Sequence, residues 1–309
     1  MVIAAHDAAA TLGATLKSVV ARLGPHDEVL VCDDGSRDDT VAVAEGLGDP
    51  RIRVLTGAHS GAPSVPRNRG IEAAEGDLIF FVDADDLALG DKFGASRAAL
   101  ADHPDAAMVF TDFQKVDAYG ALLVEHALSD YEIIRRLGPG RVHRIEADAA
   151  TRHLARENFV GTSGVAVRRD VLHSLGGFDV SLPNSEDRDL WFRIARRHPI
   201  VFLDEALHAY RVHADGISAR PLRANVPARL EVLRRQLDHA LDSTHAQDLR
   251  QAMANLHQSV AYEAFDAGDM ATCRRAVRAA WKLRPQAQLA RRYALSLLGA
   301  PLVRRLRDR

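Results

Sequence analysis

Carboxylates gather in three tight groups along the chain: Asp33-Asp34-Gly35-Ser36, Asp83-Ala84-Asp85-Asp86 and Glu186-Asp187-Arg188-Asp189. The second group follows the wholly apolar run Leu78-Ile79-Phe80-Phe81-Val82. Three carboxylates within four residues repel one another unless a cation or a set of donors compensates. Hard divalent cations such as Mg2+ and Mn2+ take carboxylate and phosphate oxygens together, so this segment can hold a metal that itself holds a diphosphate. A polar turn that caps the next helix is the plainer reading of the same residues. In the first group, Gly35 makes a turn and Asp38 or Asp39 caps the helix that follows. Capping does not require a double Asp before the glycine, and Asp34 is placed to accept from a ring N–H of a nucleobase near the free amides of a helix start. The third group opens a helix, where the helix dipole alone favours acids.

Short apolar runs alternate with amphipathic stretches over residues 1–113, the pattern of a parallel sheet wrapped by helices. Val2 to Ala5, Glu28 to Cys32, Arg51 to Leu55, Leu78 to Val82 and Ala107 to Thr111 read as strands. Leu12, Leu16, Val19, Val20 and Leu23 fall at helical spacing, Thr40 to Leu47 makes a short helix, and Pro66 opens another running to Ala74. Ligands of open sheets bind beyond the carboxyl ends of the strands, where His6-Asp7 and the first two acidic groups fall. From Asp112 to Glu157 the pattern weakens. It returns with a strand at Gly164 to Val167, a helix at Arg169 to Leu175, and a helix at Glu186 to Arg197 whose buried face holds Leu190, Trp191 and Ile194. Two strand-like runs follow, Ile200 to Leu203 and Leu207 to Val212. The rest reads as helical, punctuated by Pro221, Pro227, Pro285 and Pro301, and Ala264 to Pro285 faintly suggests a single helical-repeat unit.

The motifs gain meaning in combination. Asp33-Asp34-Gly35-Ser36, Arg67-Asn68-x-Gly70, Phe81-Val82-Asp83-Ala84-Asp85-Asp86, Gly176-Gly177-Phe178-Asp179, Glu186-Asp187-x-Asp189-Leu190-Trp191 and Tyr210-Arg211-Val212-His213 stand in this order, with Asp187 placed 102 residues after Asp85. From Val2 to about Ser218 the sequence resembles the family 2 glycosyltransferases. The resemblance implies a GT-A fold, an α/β architecture with a Rossmann-like mixed sheet flanked by helices, over residues 1–219, followed by a helical C-terminal region over 220–309. It implies an inverting enzyme that moves one sugar from a nucleotide-diphosphate sugar, with UDP-sugars foremost, to a hydroxyl of a saccharide or lipid-linked glycan. Asp34 would bind the nucleobase, Asp83 the ribose region, and Asp85 the Mn2+ or Mg2+ ion, with Asp83 and His213 beside it. Asp187 would be the general base and Glu186 its orienting partner, while Arg67 and Trp191 would stand on the donor side. His6-Asp7 stands where the family usually has a Tyr-Asn or similar pair, which would place His6 to stack on the base. The Gln-x-x-Arg-Trp signature of processive synthases is absent, which points to one transfer per encounter.

Two rival functions are open to the same residues. A haloacid dehalogenase-type phosphatase also ends a strand in Phe-Val-Asp-x-Asp, but its downstream lysine and acidic pair are not evident. A non-catalytic helical-repeat adaptor with a degenerate nucleotide-binding domain would not need intact acidic clusters.

Composition narrows the class further. The chain has 309 residues, 47% hydrophobic and 27% charged, as a soluble globular protein does. Two cysteines cannot build a disulfide framework, and no apolar run approaches the ~20 residues of a spanning helix. A cytoplasmic protein without a signal peptide is expected, and no nucleic-acid partner is indicated. The net charge of −2 hides a segregation: residues 1–219 carry 23 Lys+Arg against 34 Asp+Glu, and residues 220–309 carry 17 against 8. The last forty residues, with Leu295, Leu297, Leu298, Leu302, Val303 and Leu306 among their arginines, suit peripheral contact with an anionic membrane. Equally, those leucines can pack on the catalytic domain while the arginines cover its acidic surface.

Overall fold

The computed structural model describes residues 1–213 and 222–297. Two compact units divide the chain, Met1–Ala214 and Asp215–Arg309. In the first, the parallel strands β1 (Val2–Ala5), β2 (Val29–Asp33) and β3 (Ile52–Thr56) lie in the order β1-β2-β3, with Val2 opposite Leu30 and Val29 opposite Ile52. Helix α1 (Ala9–Val20) buries Leu12, Leu16 and Val19, one stripe at helical spacing, against this sheet's core. Helices α2 (Thr40–Glu45) and α3 (Ser64–Ala73) complete the crossovers. Pro66 lies in the first turn of α3, where a missing N–H costs nothing. Gly70 lets α3 press onto the sheet, since a Cβ there would come within 2.5 Å of Val2 Cγ1 and 2.9 Å of Cys32 Sγ.

A second sheet carries β4 (Leu78–Phe80), β5 (Leu87–Ala88), β6 (Met108–Val116), β7 (Leu122–Val124), β8 (Val142–Ile145), β9 (Val165–Arg168) and β10 (Ile200–Arg211). Its main path runs β4-β9-β6-β10-β5. The two sheets meet where Val82 N–H donates to Val2 C=O at 3.2 Å. The parallel ladder expected for residues 1–113 is interrupted here: β9 inserts antiparallel between β4 and β6. That insertion delivers the 3-10 turn Thr162–Gly164 to the carboxyl edge of the sheet. The two runs expected at 200–203 and 207–212 form the single strand β10, which absorbs the polar Asp204-Glu205 through register shifts. Helices α4 (Lys92–Asp102), α5 (Glu132–Arg135), α6 (Ala147–Arg156), α7 (Arg169–Leu175) and α8 (Glu186–Ala195) flank the sheet or bridge its loops. Strands β1 to β4, β6 and β10 all point the same way, so the segments that follow β1, β2, β4 and β10 share one edge.

The second unit holds α9 (Leu222–Leu237), α10 (Ser243–Asp266), α11 (Met270–Leu283) and α12 (Ala287–Leu297). Ala261, Ala264, Cys273, Ala276, Val277, Ala280 and Leu289 make a core of its own. Asp242 and Asp269 cap α10 and α11 by accepting from His245 and Thr272 N–H. Pro227 does not break the chain but lies inside α9, whereas Pro285 separates α11 from α12. Pro221, Pro301, Leu298, Leu302, Val303 and Leu306 lie outside the described residues. No helix among the described residues is long and apolar enough to cross a membrane.

Candidate functional site

The first acidic group divides its labour. Asp33, buried at the end of β2, accepts from the N–H groups of Gly35 and Ser36 and so shapes the turn. Gly35 takes φ +71°, and a Cβ there would meet His59 N at 2.6 Å. Asp38 accepts from Thr40 N–H and also from Ala9 N–H, tying the starts of α2 and α1 together. Asp34 is fully engaged within the protein: Ser60 N–H, Ser60 Oγ and Gly61 N–H donate to its carboxylate, and His59 Nδ1 lies 3.1 Å from it. Asp34 thus holds the 59–61 loop, and a nucleobase would have to displace one of those donors. His6 stacks on His59 with ring centroids 4.0 Å apart, and both Nδ1 atoms lie 3.1 Å from the Asp34 carbonyl. The ligand atoms of His6, Asp34 and His59 fall within 4.8 Å of one another. The Asp34 oxygens already accept from Ser60 and Gly61, so in this arrangement the trio is held together by hydrogen bonds and ring stacking within the protein.

The second group follows β4. Asp83 donates its N–H to Ser163 Oγ at 3.0 Å, which anchors the loop to the 3-10 turn before β9. Asp85 is partly exposed and faces His213, whose Nε2 lies 3.5 Å from Oδ2 without hydrogen-bond alignment. Burial, with Asp83 adding to it, pushes the Asp85 carboxyl above its ordinary range. Asp86 is buried, accepts from Arg211 N–H at 3.1 Å and so locks the loop to the end of β10 that carries His213. Burial and its two acidic neighbours push its carboxyl well up. Below it, Lys92 is buried and donates from Nζ to the Ser163 carbonyl. Burial pulls this ammonium down to about 7 while Asp86 acts in the opposite sense. Asp85, a carboxylate whose charge the fold resists, beside an imidazole with an unpartnered nitrogen, offers donors of the kind Mn2+ takes.

Arg67 joins the second group to the third. Its guanidinium donates to Glu186 Oε1 at 2.6 Å and to Asp83 Oδ1 at 2.7 Å, and lies 5.4 Å from the centre of the Phe178 ring. Burial opposes its charge, but Asp83 and Glu186 outweigh that and raise its pKa above the ordinary value. Both forks of Arg67 are taken, so it positions acids rather than meeting a donor. Glu186 is buried, and its carboxyl is raised by burial against the lowering effect of Arg67. Asp187, one residue on, is only half-buried and receives Asn158 Nδ2 at 3.2 Å. Ser185, just before it, holds φ +62°, a strained backbone for a residue with a side chain. Asn68 exchanges two 2.8 Å hydrogen bonds with the Phe178 backbone, fixing α3 to the glycine turn that leads toward α8. Trp191 is reassigned by its burial: it is 0% exposed and edge-on to Phe178, so it supports the site from the core and has no face for a nucleotide sugar.

The structure therefore brings Asp85 and His213 within 3.5 Å of each other and, through Arg67, ties Asp83 to Glu186, the chain neighbour of Asp187. His6 and Asp34 lie at the ends of β1 and β2 on the same edge. Sequence reasoning missed His59, Ser60, Lys92, Asn158 and Ser163. Lys92 alone had a signal, a lysine six residues after an acidic loop at a helix start; the others sit in segments without periodicity.

Residues 1–175 match the family model described as Glycosyl transferase family 2. The chain is 28% identical over 235 residues to the uncharacterized protein MT1568 of Mycobacterium tuberculosis (strain CDC 1551 / Oshkosh), covering 72% of this chain and 70% of that protein. It is 32% identical over 92 residues to the Escherichia coli UDP-Glc:alpha-D-GlcNAc-diphosphoundecaprenol beta-1,3-glucosyltransferase WfgD, covering 30% of this chain and 36% of that enzyme. Among solved structures, it is similar to S. aureus TarS 1-349 in complex with UDP-GlcNAc, with TM-score 0.68 and 16% identity over 96% of this chain and 89% of that one. It is also similar to the mannosyltransferase PcManGT from Pyrobaculum calidifontis in complex with GDP-Man and Mn2+, with TM-score 0.62 and 19% identity over 97% and 79% of the two chains. With its mixed sheet, its acids on one sheet edge and this match over more than half its length, the chain belongs to glycosyl transferase family 2 and has the GT-A fold.

Proposed function

We propose that the protein is an inverting, metal-dependent transferase that moves a single sugar from a UDP-sugar to a hydroxyl of a saccharide or lipid-linked glycan. The observation that carries this reading is the Arg67 bridge, which ties Asp83, on the acidic loop that also holds Asp85, to Glu186, the chain neighbour of the half-buried Asp187. Relatives support the substrate classes: WfgD is named for UDP-Glc and a diphosphoundecaprenol-linked acceptor, and TarS was solved with UDP-GlcNAc. Asp85, with Asp83 and His213, would hold Mn2+ or Mg2+, which when bound neutralises the diphosphate that leaves. Asp187 accepts the proton of the acceptor hydroxyl while that oxygen bonds to the anomeric carbon. The bond from that carbon to the diphosphate oxygen breaks, and its electron pair leaves with the nucleoside diphosphate. Glu186, clamped by Arg67, keeps the first turn of α8 in place under Asp187. The stacked His6 and His59 would meet the nucleobase, Asp34 would reach it by giving up one of its loop donors, and Asp83 would meet the ribose.

One displacement inverts the anomeric centre. Early-time proton NMR of the sugar released to water from UDP-α-glucose and UDP-α-N-acetylglucosamine should show the β anomer first. The α anomer appearing first would overturn inversion.

The second unit supports a cytoplasmic protein held peripherally at the inner membrane face. Helices α11 and α12 carry Arg274, Arg275, Arg278, Lys282, Arg291 and Arg292 and no acid, and Trp281 and Leu297 are exposed. Each basic residue at an anionic surface is worth about 1 kcal/mol, enough together for salt-sensitive attachment. Full-length protein should sediment with phosphatidylglycerol vesicles at low salt, and the Arg278→Glu/Lys282→Glu variant should sediment less. Failure of the wild type to sediment would leave these helices as packing elements.

A further inference from the structure

We infer that Asn158 is the positioning residue of the base, its side-chain amide holding the Asp187 carboxylate in one orientation. The inference deepens the proposed function and rests on its reading of Asp187 as the base. Asn158 Nδ2 donates to Asp187 Oδ2 at 3.2 Å, and the Arg188 N–H donates to Oδ1 at 2.6 Å. One donor on each oxygen stops the carboxylate from turning, and a carboxylate oxygen has room for more than one donor, so Oδ2 can still take a proton. The other end of the amide shows what it is there for. Asn158 Oδ1 is buried and has no partner among the described residues, so the contact with Asp187 is the one hydrogen bond this side chain makes among them. A buried acceptor left unsatisfied costs stability, and an apolar side chain of similar size would avoid that cost. The amide therefore serves Asp187 rather than the fold.

The surroundings keep donor and acceptor in register. Arg188, buried in the first turn of α8, donates from Nε to the Leu154 carbonyl at 3.1 Å and from Nη2 to the Ala155 carbonyl at 3.3 Å. These carbonyls belong to the last turn of α6, where a helix leaves its acceptors without partners. The end of α6 is thus stapled to the start of α8. Asn158 follows α6 by two residues, and Phe159 beside it is 0% exposed and packs on Phe110 of β6 with ring centroids 5.5 Å apart. A reacting group displaced by about 1 Å can cost ~10²-fold in rate, which is the reason to fix a half-buried carboxylate from a rigid neighbour.

The test compares Asn158→Leu, Asp187→Asn and the double variant as full chains. It reads hydrolysis of UDP-glucose and UDP-N-acetylglucosamine with Mn2+, UDP affinity by calorimetry, and thermal unfolding. Asn158→Leu should lower kcat by ~10-fold or more while the donor KM and UDP affinity keep their wild-type values. Its melting temperature should equal or exceed that of the wild type, because the orphaned acceptor is gone. In the Asp187→Asn background the same substitution should cost no further rate, since Asn158 acts through Asp187. Should Asn158→Leu misfold for want of room, Asn158→Ala takes its place in each rate comparison. An unchanged kcat, losses that multiply in the double variant, or a melting temperature lowered by Leu and Ala alike would overturn the inference. Asp187→Asn turning over at the wild-type rate, or a wild type that hydrolyses neither donor, would overturn the base reading itself and the inference with it.

Discussion

Replacing Asp187 by Asn should lower turnover by ~10²-fold or more while UDP affinity stays near that of the wild type. The substitution keeps the shape of the side chain, and the Asn158 amide can still donate to the new carbonyl oxygen. The α8 start loses nothing essential, because Arg67 grips Glu186 and not Asp187. What disappears is the basicity at the one accessible carboxylate of the group. Glu186 should behave differently. Removing its charge leaves the buried Arg67 half-paired, and breaking such a pair costs about 3–5 kcal/mol, so Glu186→Gln should lower stability as well as rate. Initial rates at saturating donor, beside titrations with UDP, separate the two. An Asp187→Asn enzyme that lost binding and turnover equally would mark Asp187 as a helix cap.

Asp85→Ala should abolish metal-dependent UDP binding and donor hydrolysis without lowering the melting temperature. Burial and Asp83 both disfavour the charge on Asp85, so the folded chain gains nothing from it in the absence of a cation. Removing it relieves repulsion inside the loop, whose anchors are Asp83 N–H on Ser163 and Asp86 on Arg211 N–H. Thermal unfolding and UDP titration of the variant check both halves. A destabilised Asp85→Ala protein would show that the acid serves the fold.

Much of this was legible in the chain because strong local signals carried it. The strand Val2–Ala5 and the helix Arg169–Leu175 match their expected bounds, since their apolar periods end at clear turns. The insertion of β9 between β4 and β6 was not legible, because strand order depends on pairing between residues some ninety positions apart, such as Leu78 with Arg168. The acids were found as motifs, but their division of labour was not. Asp33 and Asp34 are adjacent and identical in type, and only the loop at Ser60 and Gly61 shows that Asp34 is already hydrogen-bonded. Trp191 was ambiguous for the opposite reason, as a member of both a buried helical face and a motif, and burial decided for the face. Arg67 reads in sequence as one charge in a helix; its bridge exists only because Glu186, 119 residues later, folds beside Asp83.

The most direct test is a calorimetric titration of UDP into the wild-type protein with Mn2+ present and again after EDTA. On this account the diphosphate approaches Asp83 and Asp85 on the acidic loop after β4, whose charge repels it without a cation. Binding heat with Mn2+ that vanishes in EDTA is the predicted result. Equal UDP affinity in EDTA, or no heat with Mn2+, would contradict a donor site built on Asp85.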